Sequence, residues 1–77
     1  MIHSFDIIKR LSNSDLKEVM FELRKMSKMV APANHKQSKI LKSLFDSETN
    51  NCNFWLDRYH NIDANLRIEI VNRFLKS

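Results

Sequence analysis

The sequence predicts an all-α protein, a compact bundle of four to five short helices. Its 77 residues include no glycine and one proline, so they lack the Asn-Gly and Asp-Gly pairs that β-hairpin turns favour. Hydrophobic residues make up 43% of the chain, which supplies a core and is unlike a disordered composition. Apolar residues also recur at the three- and four-residue spacings of helix faces. A chain of this length forms one domain, so residues 1–77 are expected to be a single helical domain.

The first helical segment is predicted at residues 5–11. Ser4 is expected as its N-cap, and Asp6 in the first turn suits the positive end of the helix dipole. Phe5, Ile8 and Leu11 are three residues apart, so they are expected to form a single apolar stripe on this helix.

The second segment, residues 15–30, has the clearest helical pattern. Its apolar face carries Leu16, Val19, Met20, Leu23, Met26 and Val30. Either Ser12 with Asp15, or Ser14 with the acids just inside the helix, is expected to cap its start. Pro32 is expected to end it, because the residue before a proline is pushed out of the α region.

Three further helical segments are predicted, at residues 35–45, 53–60 and 64–76. Asn34 is the expected cap of the first of these and Asp63 the expected cap of the last. The buried side of the segment at 35–45 is expected to be Ile40, Leu41, Leu44 and Phe45.

The charge pattern favours an anionic partner. The net charge is +4, and basic proteins are biased toward nucleic acid, acidic proteins or anionic membranes. No carboxylate occurs between Glu22 and Asp46, whereas opposed charges normally intersperse on a solvated surface. The residues in this interval therefore form either a contact surface or an ordinary solvated face.

Two groups of basic residues are candidates for that contact surface. On the wheel of the second segment, Phe21 lies away from the apolar face among Lys17, Arg24, Lys25 and Lys28. On the third segment, the basic row is His35, Lys36, Lys39 and Lys42. An aromatic ring among cations can stack on a base or bind a protein partner. The alternative is that the second helix is central and that a neighbouring helix covers Phe21.

The second and third segments also suggest a helix-turn-helix motif, but the signal is weak. The turn of that motif is short and often contains glycine, whereas the intervening sequence here contains a proline.

The aromatic-rich segment at 53–60 is a second candidate contact surface. Phe54, Trp55 and Leu56 are consecutive and cannot all face one core, so one of them should be exposed. Trp55, Arg58 and Tyr59 are of the types enriched at interface hot spots. The alternative is that this segment packs into a corner of the fold and buries most of the cluster.

The apolar residues of the last segment spread over about 200° of its wheel, wider than one packing face needs. They are Leu66, Ile68, Ile70, Val71, Phe74 and Leu75. Either this helix is wedged between neighbours, or one strip meets another chain, which would give a homodimer through this helix.

The residue types and spacings argue against catalysis, a metal site or a cofactor. His3, His35 and His60 lie in three segments, and no two have the i, i+4 spacing of a metal pair. Cys52 and His60 lack an orienting third group, so Cys52 is expected in the core. Without glycine there is no Gly-rich phosphate loop, and a domain this small leaves little room beside its core for a pocket of ~300 Å³.

The single cysteine excludes an intrachain disulfide and fits a reducing compartment. The longest apolar runs are three residues long, such as residues 19–21, which argues against a membrane span, a signal peptide and a membrane partner. A cytoplasmic location is therefore expected.

The expected function is that of a small, non-enzymatic regulatory or inhibitor protein that binds a larger protein partner. A component of nucleic-acid machinery is one such partner, as for an inhibitor carried by a phage or another mobile element. The alternative is a direct DNA- or RNA-binding protein that uses the basic side of the second and third helices.

Overall fold

The computed structural model describes residues 3–30, 36–49 and 52–75. These residues form four helices: α1 (Ser4–Arg10), α2 (Asn13–Ser27), α3 (Lys39–Ser47) and α4 (Trp55–Ile70). The last helix continues directly into a π-helical turn, Val71–Leu75. The described ranges contain no strand. The prediction of an all-α compact bundle is confirmed.

The two segments predicted at 53–60 and 64–76 are one continuous helix, so the predicted break between them is wrong. Asp63, expected as a cap, lies in the middle of α4, where its Oδ2 accepts a hydrogen bond from Nε of Arg67 at 3.0 Å. Asn and Asp lower helix propensity by only a few tenths of a kcal/mol. Ile62 and Leu66, four residues apart, are both fully buried. Their burial favours a continuous helix over a break.

The central helix is α4, which packs against each of the other three, while α1 also contacts α3. All four helices contribute to the core, which comprises Ile8, Leu16, Val19, Met20, Leu23, Met26, Leu41, Leu44, Phe45, Ile62 and Leu66. The interpretation that placed the second helix at the centre is therefore wrong. Because α2 lies to one side of α4, its outer surface faces solvent.

The helix boundaries near α2 and α3 differ from those predicted. Helix α2 ends at Ser27, so Val30 lies beyond it and is exposed. Helix α3 begins at Lys39 with Ser38 as its N-cap, and the Ser38 Oγ accepts the Leu41 N–H at 3.4 Å. Pro32 and Asn34, expected to end one helix and cap the next, lie outside the described residues. Eleven positions separate the two helices, which is too long for a helix-turn-helix turn.

Two serines near the N-terminus have different roles. The Ser12 Oγ accepts the Asp15 N–H at 3.1 Å, which confirms the first of the two predicted caps of α2. Ser4 is not a cap, because His3 occupies that position and Ser4 is the first residue of α1. The buried Ser4 hydroxyl donates to the Glu48 carboxylate and accepts from Nδ2 of Asn65 at 2.9 Å. This buried polar cluster joins α1, the end of α3 and α4.

Arg73, in the π-helical turn, closes the C-terminal end of α1. Its Nη1 donates to the carbonyl oxygen of Leu11 at 2.7 Å, and its Nη2 donates to that of Lys9 at 3.0 Å. Its Nε donates to Oε2 of Glu69 at 2.7 Å. Since the last carbonyls of a helix have no partner within the helix, Arg73 satisfies groups that α1 leaves open.

Candidate functional site

The candidate contact surface on α2 is centred on the exposed ring of Phe21. It projects from the outer side of α2 and is 75% exposed. No helix in the described ranges covers it, so the interpretation in which a neighbouring helix buries Phe21 is wrong. The reason is the position of α4, which packs on the apolar face of α2 and leaves the opposite face open.

The cations that the helical wheel places around Phe21 are all exposed. We call these five residues the α2 basic surface: Lys17, Phe21, Arg24, Lys25 and Lys28. Three of its cations, Arg24, Lys25 and Lys28, line a shallow depression of about 230 Å³ together with Phe21. Lys17 and Arg24 line a second depression of about 280 Å³ with Phe21, Met20 and Ile70. Phe21 therefore borders two open hollows that are lined by cations.

A larger open groove of about 580 Å³ adjoins the same ring. Its lining residues are Glu18, Phe21, Glu22, Lys25, Lys36, Gln37 and Ser38. This groove lies on the surface, between α2 and the residues that precede α3, and so differs from the pocket beside the core for which little room was expected. It adds Lys36 to the cations near Phe21.

Glu22 fixes the wall of this groove. Its Oε1 accepts the Ser38 hydroxyl at 2.6 Å, and its Oε2 accepts the Ser38 N–H at 3.1 Å. The same hydroxyl caps α3, because a serine oxygen can donate one hydrogen bond and accept others. Glu22 thus holds the start of α3 against α2, and this places Lys36 and Gln37 beside Phe21.

Within the described ranges, the cations around Phe21 form no ion pairs. In the part of the chain that the structure describes, no carboxylate lies within 4.0 Å of the Lys17, Lys25 or Lys28 ammonium groups. The same is true of Arg24 and Lys36. Lys17 is partly engaged, since its Nζ lies 5.2 Å from the centre of the Phe74 ring. The site therefore offers several cations to a negatively charged ligand.

The structure separates the basic row predicted on the third helix. Lys36 lines the groove beside Phe21. Lys39 and Lys42 are exposed on α3 and do not line it. His35 lies outside the described residues.

The candidate contact residues at the start of α4 make internal contacts. Trp55 is half-buried and stacks between the rings of Phe45 and Tyr59, with both centroid distances 5.5 Å. The Tyr59 hydroxyl donates to the Leu23 carbonyl at 2.9 Å, and burial raises the pKa of Tyr59 above its ordinary value. Arg58 donates from Nε to a loop carbonyl at 2.9 Å. These three side chains help to hold α4 in place.

The neighbours of Trp55 project into solvent instead. Phe54 is 71% exposed and Leu56 is 57% exposed. One of the three consecutive apolar residues was expected to be exposed, and two of them are. A wheel could not identify which ones, because Phe54 is the N-cap of α4, the other two lie in its first turn, and their burial depends on where α2 and α3 meet it.

The end of α4 carries a second exposed apolar strip. Leu66 is buried, while Ile68, Val71 and Leu75 are exposed at spacings of three and four residues. The covered side packs on the core, so within the described ranges this segment is not wedged between neighbours on all of its apolar sides, and a homodimer through the exposed strip stays a prediction.

The described ranges hold no group of three His, Cys, Asp or Glu side chains placed to bind a metal. Cys52, expected in the core, is half-buried, and its Sγ accepts a hydrogen bond from Nδ2 of Asn61. The helices within those ranges are too short or too polar to cross a membrane. Comparison of the chain with protein-family models, curated proteins and solved structures finds no match.

Proposed function

We propose that this chain is a non-enzymatic nucleic-acid-binding protein and that the α2 basic surface contacts the nucleic acid. The observation that carries the proposal is a largely exposed Phe21 among cations that have no carboxylate partner in the described ranges. Proteins that bind nucleic acid combine these two elements, since the cations attract phosphates and the ring accepts a base. The single cysteine supports a reducing, cytoplasmic location as part of the same proposal.

The sign of the charge favours nucleic acid over the protein machinery that handles it. The grooves of proteins that bind nucleic acid are themselves basic, so they repel a positively charged surface. Phosphates attract it, and so does an acidic protein surface. For the α2 basic surface, direct binding is therefore the better-supported of the two functions that the sequence suggests.

A second candidate function is that of a regulatory or inhibitor protein that binds a larger protein partner. It is favoured by the exposed apolar residues at the two ends of α4, which are Phe54, Leu56, Ile68, Val71 and Leu75. Exposed aromatic and aliphatic side chains are typical of protein contacts. A homodimer through the strip at the end of α4 is one form of this candidate.

Salt dependence tests the first proposal. The log–log slope of affinity against salt is about −0.7 per phosphate on a single strand. If the four cations of the α2 basic surface and Lys36 each contact one phosphate, the slope is about −3.5. Binding is then ~100-fold weaker at 200 mM than at 50 mM salt. Fluorescence anisotropy with labelled 20-mer oligonucleotides, single-stranded and duplex, measures both values. No binding at 50 mM salt would refute direct nucleic-acid binding.

A matched pair of charge reversals locates the contact. Lys25→Glu/Lys28→Glu and Lys39→Glu/Lys42→Glu each lower the net charge from +4 to 0. The first pair of substitutions is expected to weaken binding about tenfold or more, because each of the two lost phosphate contacts contributes ~0.7 kcal/mol to the binding free energy. The second is expected to weaken it much less when measured at 150 mM salt, where screening limits long-range effects to ~8 Å. Equal losses would place the contact elsewhere.

The protein-partner candidate predicts a different response. Replacement of Phe54 and Leu56 by serine is expected to leave oligonucleotide binding unchanged, because neither side chain lines the grooves around Phe21. Capture of a protein partner that survives nuclease treatment and is lost in this variant would favour the second candidate. Sedimentation that gives only monomer at micromolar concentration would count against the homodimer.

A further inference from the structure

We infer that the α2 basic surface prefers single-stranded nucleic acid, with Phe21 stacking on an unpaired base and Lys25 and Lys36 holding the adjacent phosphates. This inference rests on the nucleic-acid-binding function proposed above and specifies its substrate class.

The arrangement around Phe21 suits a base on its face. The ring borders the 580 Å³ groove and both smaller hollows, so open space adjoins it at more than one place. The groove volume lies within the ~300–1,000 Å³ that is usual for sites that hold small organic groups. Every base has a π-face, and stacking on an aromatic side chain is tolerant of base identity.

The positions of the cations suit the backbone on either side of that base. Lys25 lies one helical turn after Phe21 on α2, and Lys36 reaches the groove from the opposite wall. A strand whose base lies on Phe21 would then pass a cation in each direction. The Glu18 carboxylate and the Gln37 amide, which also line the groove, offer hydrogen-bond acceptors and a donor to base edges.

A duplex fits this surface poorly. Its bases are stacked on each other, so the face of Phe21 reaches one only after unstacking, which costs a few kcal/mol. Glu18 lies on the rim among the cations, where a rigid row of phosphates would meet its carboxylate. A flexible strand can direct its phosphates to the lysines and its bases to the rest of the groove.

The test compares probes that differ in whether they carry bases and in whether those bases are paired. Labelled dT20, U20, a 20-mer of abasic tetrahydrofuran sites and a 20-bp duplex are titrated at 50 mM salt by fluorescence anisotropy. The inference predicts that dT20 and U20 bind at least about fivefold more tightly than the abasic strand, and also more tightly than the duplex.

The decisive variant is Phe21→Leu, which keeps an apolar side chain and removes the aromatic face. Because Phe21 is exposed, the variant is expected to fold, as circular dichroism checks. It is expected to lose at least about fivefold in dT20 affinity, to bind the abasic strand as before, and to keep its salt slope. Phe54→Leu is the matched control, since Phe54 is equally exposed and lies outside the grooves; it should change nothing. Phe21→Trp should retain the preference for bases.

The outcomes separate the two levels of the proposal. Equal affinity for dT20 and the abasic strand, or an unchanged Phe21→Leu variant, would overturn base stacking while salt-dependent binding still supports a nucleic-acid ligand. Competition by poly-glutamate as effective as that by dT20 would overturn the inference in favour of an acidic protein ligand. Absence of binding to every oligonucleotide would refute the nucleic-acid function itself.

Discussion

Replacement of Arg73 by alanine is expected to cost this domain about 3 kcal/mol of stability. The substitution removes the ion pair with Glu69, in which the side chains are only 19% and 10% exposed, and three hydrogen bonds to carbonyls at the end of α1. Breaking a fully buried ion pair costs ~3–5 kcal/mol. Because water can reach part of this pair and the freed carbonyls, the lower end of that range applies.

A loss of that size is large for this chain. A 77-residue domain has a total unfolding free energy of ~4–11 kcal/mol. In a domain of this size, ~3 kcal/mol lowers the melting temperature by about 12–24 °C. Urea denaturation measures it directly, followed by circular dichroism and by the fluorescence of Trp55, the single tryptophan.

Arg67 provides the matched control. It forms the same type of i, i+4 pair, with Asp63, but its side chain is 67% exposed. Arg67→Ala removes one positive charge as Arg73→Ala does, yet is expected to cost less than ~0.5 kcal/mol. Arg73→Lys should be intermediate, because an ammonium group cannot donate along the fixed fork of a guanidinium. If the two alanine variants were equally stable within ~0.5 kcal/mol, the role assigned to Arg73 would be incorrect.

Three further predictions follow from the fold. Ala64→Pro is expected to lower the free energy of unfolding by ~3 kcal/mol, measured by urea denaturation, because residue 64 lies inside a continuous α4. If the proline were tolerated, the helix break predicted before Ala64 would be correct, because a proline is acceptable in the first turn of a helix. Ser4→Ala leaves the buried Glu48 carboxylate without its hydrogen-bond donor, so the free energy of unfolding is expected to fall by ~1–3 kcal/mol. Replacement of the exposed Ser43 by alanine is the control and is expected to cost ~0.5 kcal/mol or less. Equal effects of the two substitutions would argue against the buried cluster. Tyr59 has a pKa raised above its ordinary value of 10.0 by burial, so the unfolded chain loses this proton first and stability should fall as the pH rises above about 10. Tyr59→Phe should remove that part of the alkaline loss, and an unchanged pH profile would contradict it.

The sequence predicted the parts of the fold that depend on local pattern. The apolar stripe of α2 identified five of the core residues, because helical periodicity records which side faces inward. The same wheel placed Phe21 among its cations, as observed. It could not tell whether another element covered the ring, since that depends on which helix is central.

The features that sequence reasoning missed depend on tertiary packing. The break predicted near Asp63 followed from local composition, whereas Ile62 and Leu66 have the i, i+4 spacing of a helix face and their burial favours a continuous helix. The groove beside Phe21 requires the hydrogen bonds between Glu22 and Ser38, sixteen positions apart. A single sequence does not single out a pair with that separation.

The contact between Arg73 and the end of α1 has a consequence for how the chain assembles. Its donor and the Leu11 acceptor are separated by 62 positions, so the first helix acquires this partner only after Arg73 has been synthesised. Chains are synthesised from the N-terminus, and contacts between distant positions slow folding because a large loop must close first. The carbonyl groups at the end of α1 are therefore exposed to water until Arg73 has been made and this loop has closed.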